Sequence, residues 1–178
     1  DARFDLYRLG FPNREVEEGF IKYLLPFYVN MDGGKSIFHI SRLVYEIEHG
    51  DYDAFFCRLQ SFFADTPYEL VRDLELHYQN VLFIVFKLIG YKLLGFYVQA
   101  EYHTSNGRID MILKTDKYVY VMEFKFDGTA DEALKQIEEK GYAVPFRKDP
   151  RQLIVIGVNL SSKTRNIDGW KVKANENL

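Results

Sequence analysis

The chain has 178 residues but a single cysteine, Cys57. A disulfide framework within one molecule is excluded, and a reducing, cytoplasmic compartment fits. Cys57 follows Ala54-Phe55-Phe56 in a helical apolar pattern and reads as a buried thiol. Long apolar runs are also missing. The longest, Val81 to Phe86, is stopped by Lys87, well short of the roughly 18–20 residues of a membrane span. No signal peptide is visible. The chain opens at Asp1 rather than Met, as a fragment of a longer protein would. Nor is there a polybasic block. Residues 1–99 carry 10 Lys+Arg against 14 Asp+Glu, and residues 100–178 carry 13 against 12, for a net charge of −3. A protein that grips many phosphates should show a basic face, so this balance counts against a tight, non-specific DNA binder. His39, His49 and His103 are too scattered to suggest zinc.

What is present is a core-forming pattern. The aromatic share of 16% comes mostly from Phe and Tyr, which commonly fill cores. The first half reads as helical. Asn13 is an N-cap, with Glu15, Glu17 and Glu18 at the positive end of the dipole. Val16, Phe20, Tyr23, Leu24 and Phe27 recur at helical spacing until Pro26 disturbs the end. Asp32-Gly33-Gly34 reads as a loop. A second helix carries Ile37, Ile40, Leu43, Val44 and Ile47, ending near His49-Gly50, and a third carries Phe55, Phe56, Leu59, Phe62 and Phe63. Thr66-Pro67-Tyr68-Glu69 is a helix-start signature. The pattern it opens runs through Tyr78, Val81 and Val85 and stops at Gly90.

The period then changes. Residues 97–102, 108–113 and 118–126 read as strands, with turns at Ser105-Asn106-Gly107 and Thr115-Asp116-Lys117. A helix spans 130–140 and ends at Gly141. Gln152 to Val158 is an apolar strand, and Trp170-Lys171-Val172 a short final one. The order predicted from Tyr68 onward is α-β-β-β-α-β, an α/β fold with a mixed central sheet flanked by helices. Residues 1–65 form a helical extension and residues 66–178 the main domain.

Strand 118–126 carries the chemistry. One face shows Tyr120, Met122, Phe124 and Phe126; the other shows Val119, Val121, Glu123 and Lys125. A period of two puts Glu123 and Lys125 side by side. Charges at the end of such an apolar strand need compensation. Asp110, in the preceding strand of a hairpin, can sit close to Glu123. Two carboxylates a few ångströms apart repel, which raises a pKa or demands a cation. Hard oxygen ligands in small number suit Mg²⁺, with Mn²⁺ as the alternative. Lys125 can orient or deprotonate a water or stabilise developing charge. The plainer alternative is a structural salt bridge at a strand end.

Asp110 followed by Glu123-Phe124-Lys125 resembles the D…ExK core of the PD-(D/E)XK nuclease superfamily. The wider text resembles the nuclease-like family found at the C-terminus of bacterial AAA-ATPase-like proteins: Gly107-Arg108-Ile109-Asp110, Val121 to Gly128, Ala133 to Tyr142, then Val155 to Asn159 and Thr164 to Ile167. The likeness covers roughly residues 66–173. It implies a restriction-endonuclease-like core, a nucleic acid substrate, in the first place DNA, and an ATPase module upstream. No GxxxxGK[ST] occurs, so any ATPase lies outside this chain. The resemblance further implies a metal held by Asp110, Glu123 and a main-chain carbonyl near Phe124. Gln136 on the following helix and Glu75 on the preceding one become supporting residues, with His77 and Gln79 as neighbours that could replace Glu75. Arg108 is a candidate phosphate contact, and Tyr142 a candidate residue at the cleft edge. Each has a structural alternative: Gln136 and Glu75 as solvated helix residues, His77 as a satisfied interfacial histidine, Arg108 as an exposed strand-end charge. A nuclease fold kept only for binding or for regulating a linked ATPase is the competing reading.

Overall fold

The computed structural model describes residues 10–28, 33–64, 74–92, 97–105 and 107–174. Four helices come first: α1 (Arg14–Tyr28), α2 (Gly33–Glu48), α3 (Tyr52–Ala64) and α4 (Leu74–Lys92). Strands β1 (Tyr97–Thr104), β2 (Gly107–Lys114) and β3 (Tyr118–Phe126) follow, then α5 (Ala130–Glu139), β4 (Gln152–Ser161) and β5 (Asn166–Ala174). The helix start at Thr66 to Glu69 and the turn residue Asn106 lie outside the described residues.

The five strands lie in the order β1-β2-β3-β4-β5. Neighbours are antiparallel except β3 and β4, which are parallel. A parallel pair needs a crossover, and α5 supplies it. The sheet is therefore mixed and covered on both faces, an α/β fold of the restriction-endonuclease type. Helix α4 runs two residues past Gly90, and β5 is much longer than the segment around Trp170 suggested. As an edge strand β5 is mostly half exposed, so it carries little apolar alternation to be read.

Two clusters fill the two sides. The larger joins Ile21, Leu43, Phe55 and Val85 of the helices to Met111, Tyr120, Met122 and Ile156 of the sheet. The smaller joins Val119, Val121, Leu153 and Val155 to Leu134 and Ile137 of α5. The Tyr120 hydroxyl donates to the Ile47 carbonyl at 2.7 Å, tying the sheet to α2.

Two expectations fail on the helices. In α1, Val16, Phe20 and Tyr23 are exposed, while Ile21 and Leu25 are buried. The helix is turned so that this second stripe, with half-buried Leu24, meets the core, and Lys87 of α4 pairs with Glu17 at 3.3 Å. In α3, Cys57 is exposed. Phe55, Phe56, Leu59, Phe62 and Phe63 already occupy the buried arc, and Cys57 falls on its outer side.

Candidate active site

The ladder between β2 and β3 runs only over Met111↔Met122 to Lys114↔Val119. Beyond it β2 continues to pair with β1, and β3 with β4 as far as Phe126↔Leu160. The two strands part at Asp110 and Glu123. Side-chain alternation is also broken there, since Ile109 shares the α5-side cluster with Ile112. Asp110 Oδ2 takes over the lost ladder bond by accepting from the Phe124 amide at 2.9 Å.

A cleft of about 610 Å³ opens at this parting, walled by the first half of α4. Asp110, Glu123, Phe124, Lys125, Arg108 and Glu75 all line it. Glu75 and Gln79, one helical turn apart, both face it, so they are companions rather than substitutes. His77 does not line it. Burial and nearby Arg165 hold the His77 ring below the usual histidine pKa, as expected of an interfacial residue. Tyr142 does not edge the cleft either. It is buried against α5 and β4, and a Cβ at Gly107 would stand 2.8 Å from its hydroxyl. A conspicuous tyrosine after a helix signals packing here. Tyr78 and Asn80 also line the cleft and were not singled out as site residues. Their signal was polar groups recurring along an otherwise apolar helix.

Gln136 lies between the two charged groups of β3. Its Nε2 donates to Glu123 Oε1, and its Oε1 accepts from Lys125 Nζ. Glu123 and Lys125 make no direct ion pair, which speaks against a plain strand-end salt bridge. Helix α5 can hold Gln136 there because Thr129 caps it, accepting from the Glu132 amide at 3.1 Å. Asn159, opposite Lys125 on β4, accepts from the Gly128 amide at 3.0 Å and pins the connection between β3 and α5.

Glu123 is 3% exposed. Burial first, then the neighbouring Asp110 carboxylate, pushes its carboxyl up to about 7. Its Oε2 is buried without a hydrogen-bond partner. A buried carboxylate oxygen left over beside a second carboxylate suits a small hard cation. Among the described residues no three His, Cys, Asp or Glu side chains converge, fewer than the protein ligands a zinc site uses. Two carboxylates fit an ion that keeps several waters.

Residues 73–170, more than half of the chain, match the PD-(D/E)XK nuclease superfamily. The chain belongs to that superfamily. Nucleases of this superfamily generally use divalent metal ions. A protein of Azotobacter chroococcum mcd 1, "Uncharacterized protein in vnfD 5'region", is 30% identical over 176 residues. That alignment covers 94% of this chain and 33% of the relative, so the chain spans about a third of that protein's length. No described helix is long and apolar enough to cross a membrane.

Proposed function

We propose that this domain is a divalent-metal-dependent nuclease that hydrolyses phosphodiester bonds, in the first place in DNA, in the cytoplasm. The observation that carries the reading is the parting of β2 and β3. It brings Asp110, Glu123 and Lys125 into one cleft and leaves Glu123 Oε2 buried without a partner. Asp110, Glu123 and the Phe124 carbonyl would hold Mg²⁺ or Mn²⁺. When bound, such an ion lowers the pKa of a coordinated water and offsets charge on the phosphoryl oxygens.

The chain's own groups do the rest. Gln136 bridges Lys125 to Glu123 and so holds the ammonium beside the carboxylates. Lys125 can then orient the attacking water and stabilise negative charge as it builds on the phosphate. Arg108, exposed at the rim, contacts a flanking phosphate, and Glu75 supports the site from α4. The resemblance to the C-terminal family of ATPase-like proteins, with a relative of which this chain spans only 33%, supports a place beside an ATPase module. A purely regulatory module would have no need to keep all three groups of β2 and β3 together.

Purified protein should cleave DNA with Mg²⁺ or Mn²⁺ and not with chelator. Asp110→Ala and Lys125→Ala should each lose at least 100-fold in rate, a loss of about 2.7 kcal/mol or more of transition-state stabilisation. In calorimetry Mn²⁺ should bind the wild type and not Glu123→Ala. Cleavage that survives either substitution, or equal Mn²⁺ binding by both proteins, would remove this mechanism.

A further inference from the structure

The cleft is built unlike a groove for duplex DNA. Outside the metal site of Asp110, Glu123 and Lys125, its lining holds one cation, Arg108, and one carboxylate, Glu75. A protein that makes about 6–10 phosphate contacts binds duplex tightly, whereas this chain carries a net charge of −3 and its sequence has no polybasic block. What the cleft has instead is aromatic surface. Phe124 and Phe126 project from the same face of β3; both rest on the core and are half buried, Phe126 with its ring centroid 6.0 Å from that of Tyr78. Phe83 on the α4 wall is 41% exposed, with Lys87 Nζ over its ring at 5.7 Å. Beside these rings α4 presents Glu75, Gln79 and Asn80. Those are hydrogen-bonding groups suited to base edges rather than to phosphates.

An aromatic surface beside carboxylate and amide groups suits an unpaired base, which stacks on rings and exposes its Watson–Crick edge. A paired base offers neither surface. The two faces of β3 divide the work. Glu123 and Lys125 point toward α5 and take the backbone, while Phe124 and Phe126 point toward α4. Resting on the nuclease reading above, we infer that the substrate is single-stranded or locally unpaired nucleic acid, with a base beside the scissile phosphate stacked on Phe83, Phe124 and Phe126.

Binding is measured with a labelled single-stranded oligonucleotide and the blunt duplex of the same sequence. Both are titrated with Mg²⁺ present in a Lys125→Met background, so that cleavage is held off. The single strand should bind at least 10-fold tighter than the duplex. Phe83→Ala should weaken single-strand binding roughly 5- to 100-fold, the range for loss of one stacked base. It should leave Mn²⁺ binding unchanged, and Phe83→Trp should restore affinity. In the otherwise wild-type enzyme, Phe83→Ala should raise KM far more than it lowers kcat. Duplex binding as tight as single-strand binding, or Phe83→Ala binding like its parent, overturns the inference and leaves the nuclease reading standing. Failure of both nucleic acids to bind removes the nuclease reading, and this inference with it.

Discussion

Glu123 concentrates the tension in this site. Its carboxyl is raised from 4.5 to about 7 by burial and by Asp110. Between those two values the folded protein holds a proton that the unfolded chain has released. Stability of the metal-free protein therefore falls as pH rises from about 4.5 to 7, then levels off. Glu123→Gln keeps the shape and an acceptor for Gln136 but removes the titration. In chelator it should be more stable than wild type at pH 8, by on the order of 1–3 kcal/mol, and no more stable at pH 4. Denaturant midpoints across that range check this. A flat difference between the two proteins would mean that Glu123 is not held against its charge. Mn²⁺ should reverse the order at pH 8, because only the wild type gains stability by binding it.

At the scale of elements, α5 decides whether the site is assembled. It lies so close to β4 that a Cβ on Gly157 would run into the Ala130 carbonyl and stand 2.8 Å from the Leu134 amide. Those atoms are helix backbone and cannot swing aside. Gly157→Ala should cost about 3 kcal/mol or more, the upper end of overpacking effects, as read from urea unfolding. Because Gln136 rides on α5, folded Gly157→Ala should also cleave more slowly than wild type. Helix α5 was legible in the sequence with its end marked by Gly141. The rotation of α1 was not, because Val16, Phe20 and Tyr23 form as good an apolar stripe as Ile21 and Leu25. Periodicity says that a face exists; the groove available on α4 says which one is used.

Across the whole molecule, the N-terminal helices and the sheet share one core. Ile21, Leu25, Leu43 and Phe55 pack in the same cluster as Tyr120 and Ile156, and the Tyr120 hydroxyl reaches the Ile47 carbonyl with both groups buried. A shared core unfolds cooperatively. Helix content followed by far-ultraviolet circular dichroism and aromatic packing followed by fluorescence should report coincident transitions. Tyr120→Phe removes the shorter of two hydrogen bonds to the Ile47 carbonyl, which keeps the Gly50 amide at 3.4 Å, and should lower stability by about 0.5–1.5 kcal/mol, moving both signals together. Separate transitions would mean that the helices fold independently of the sheet.

The sequence alone determined the order of elements and the three groups on β2 and β3. A period of two placed Glu123 beside Lys125, a short turn brought Asp110 alongside, and both are local consequences of strand geometry. Gln136 was legible only through the family resemblance, which implies a polar residue on the next helix. Tertiary structure alone decided the rest. It parted β2 from β3 so that a cleft could open, turned α4 so that Glu75 and Gln79 face it and His77 does not, and sank Tyr142 into the core. These outcomes depend on how faces of comparable apolarity compete for the same neighbours. That competition is settled by shape and packing between segments far apart in the chain, which no local pattern records.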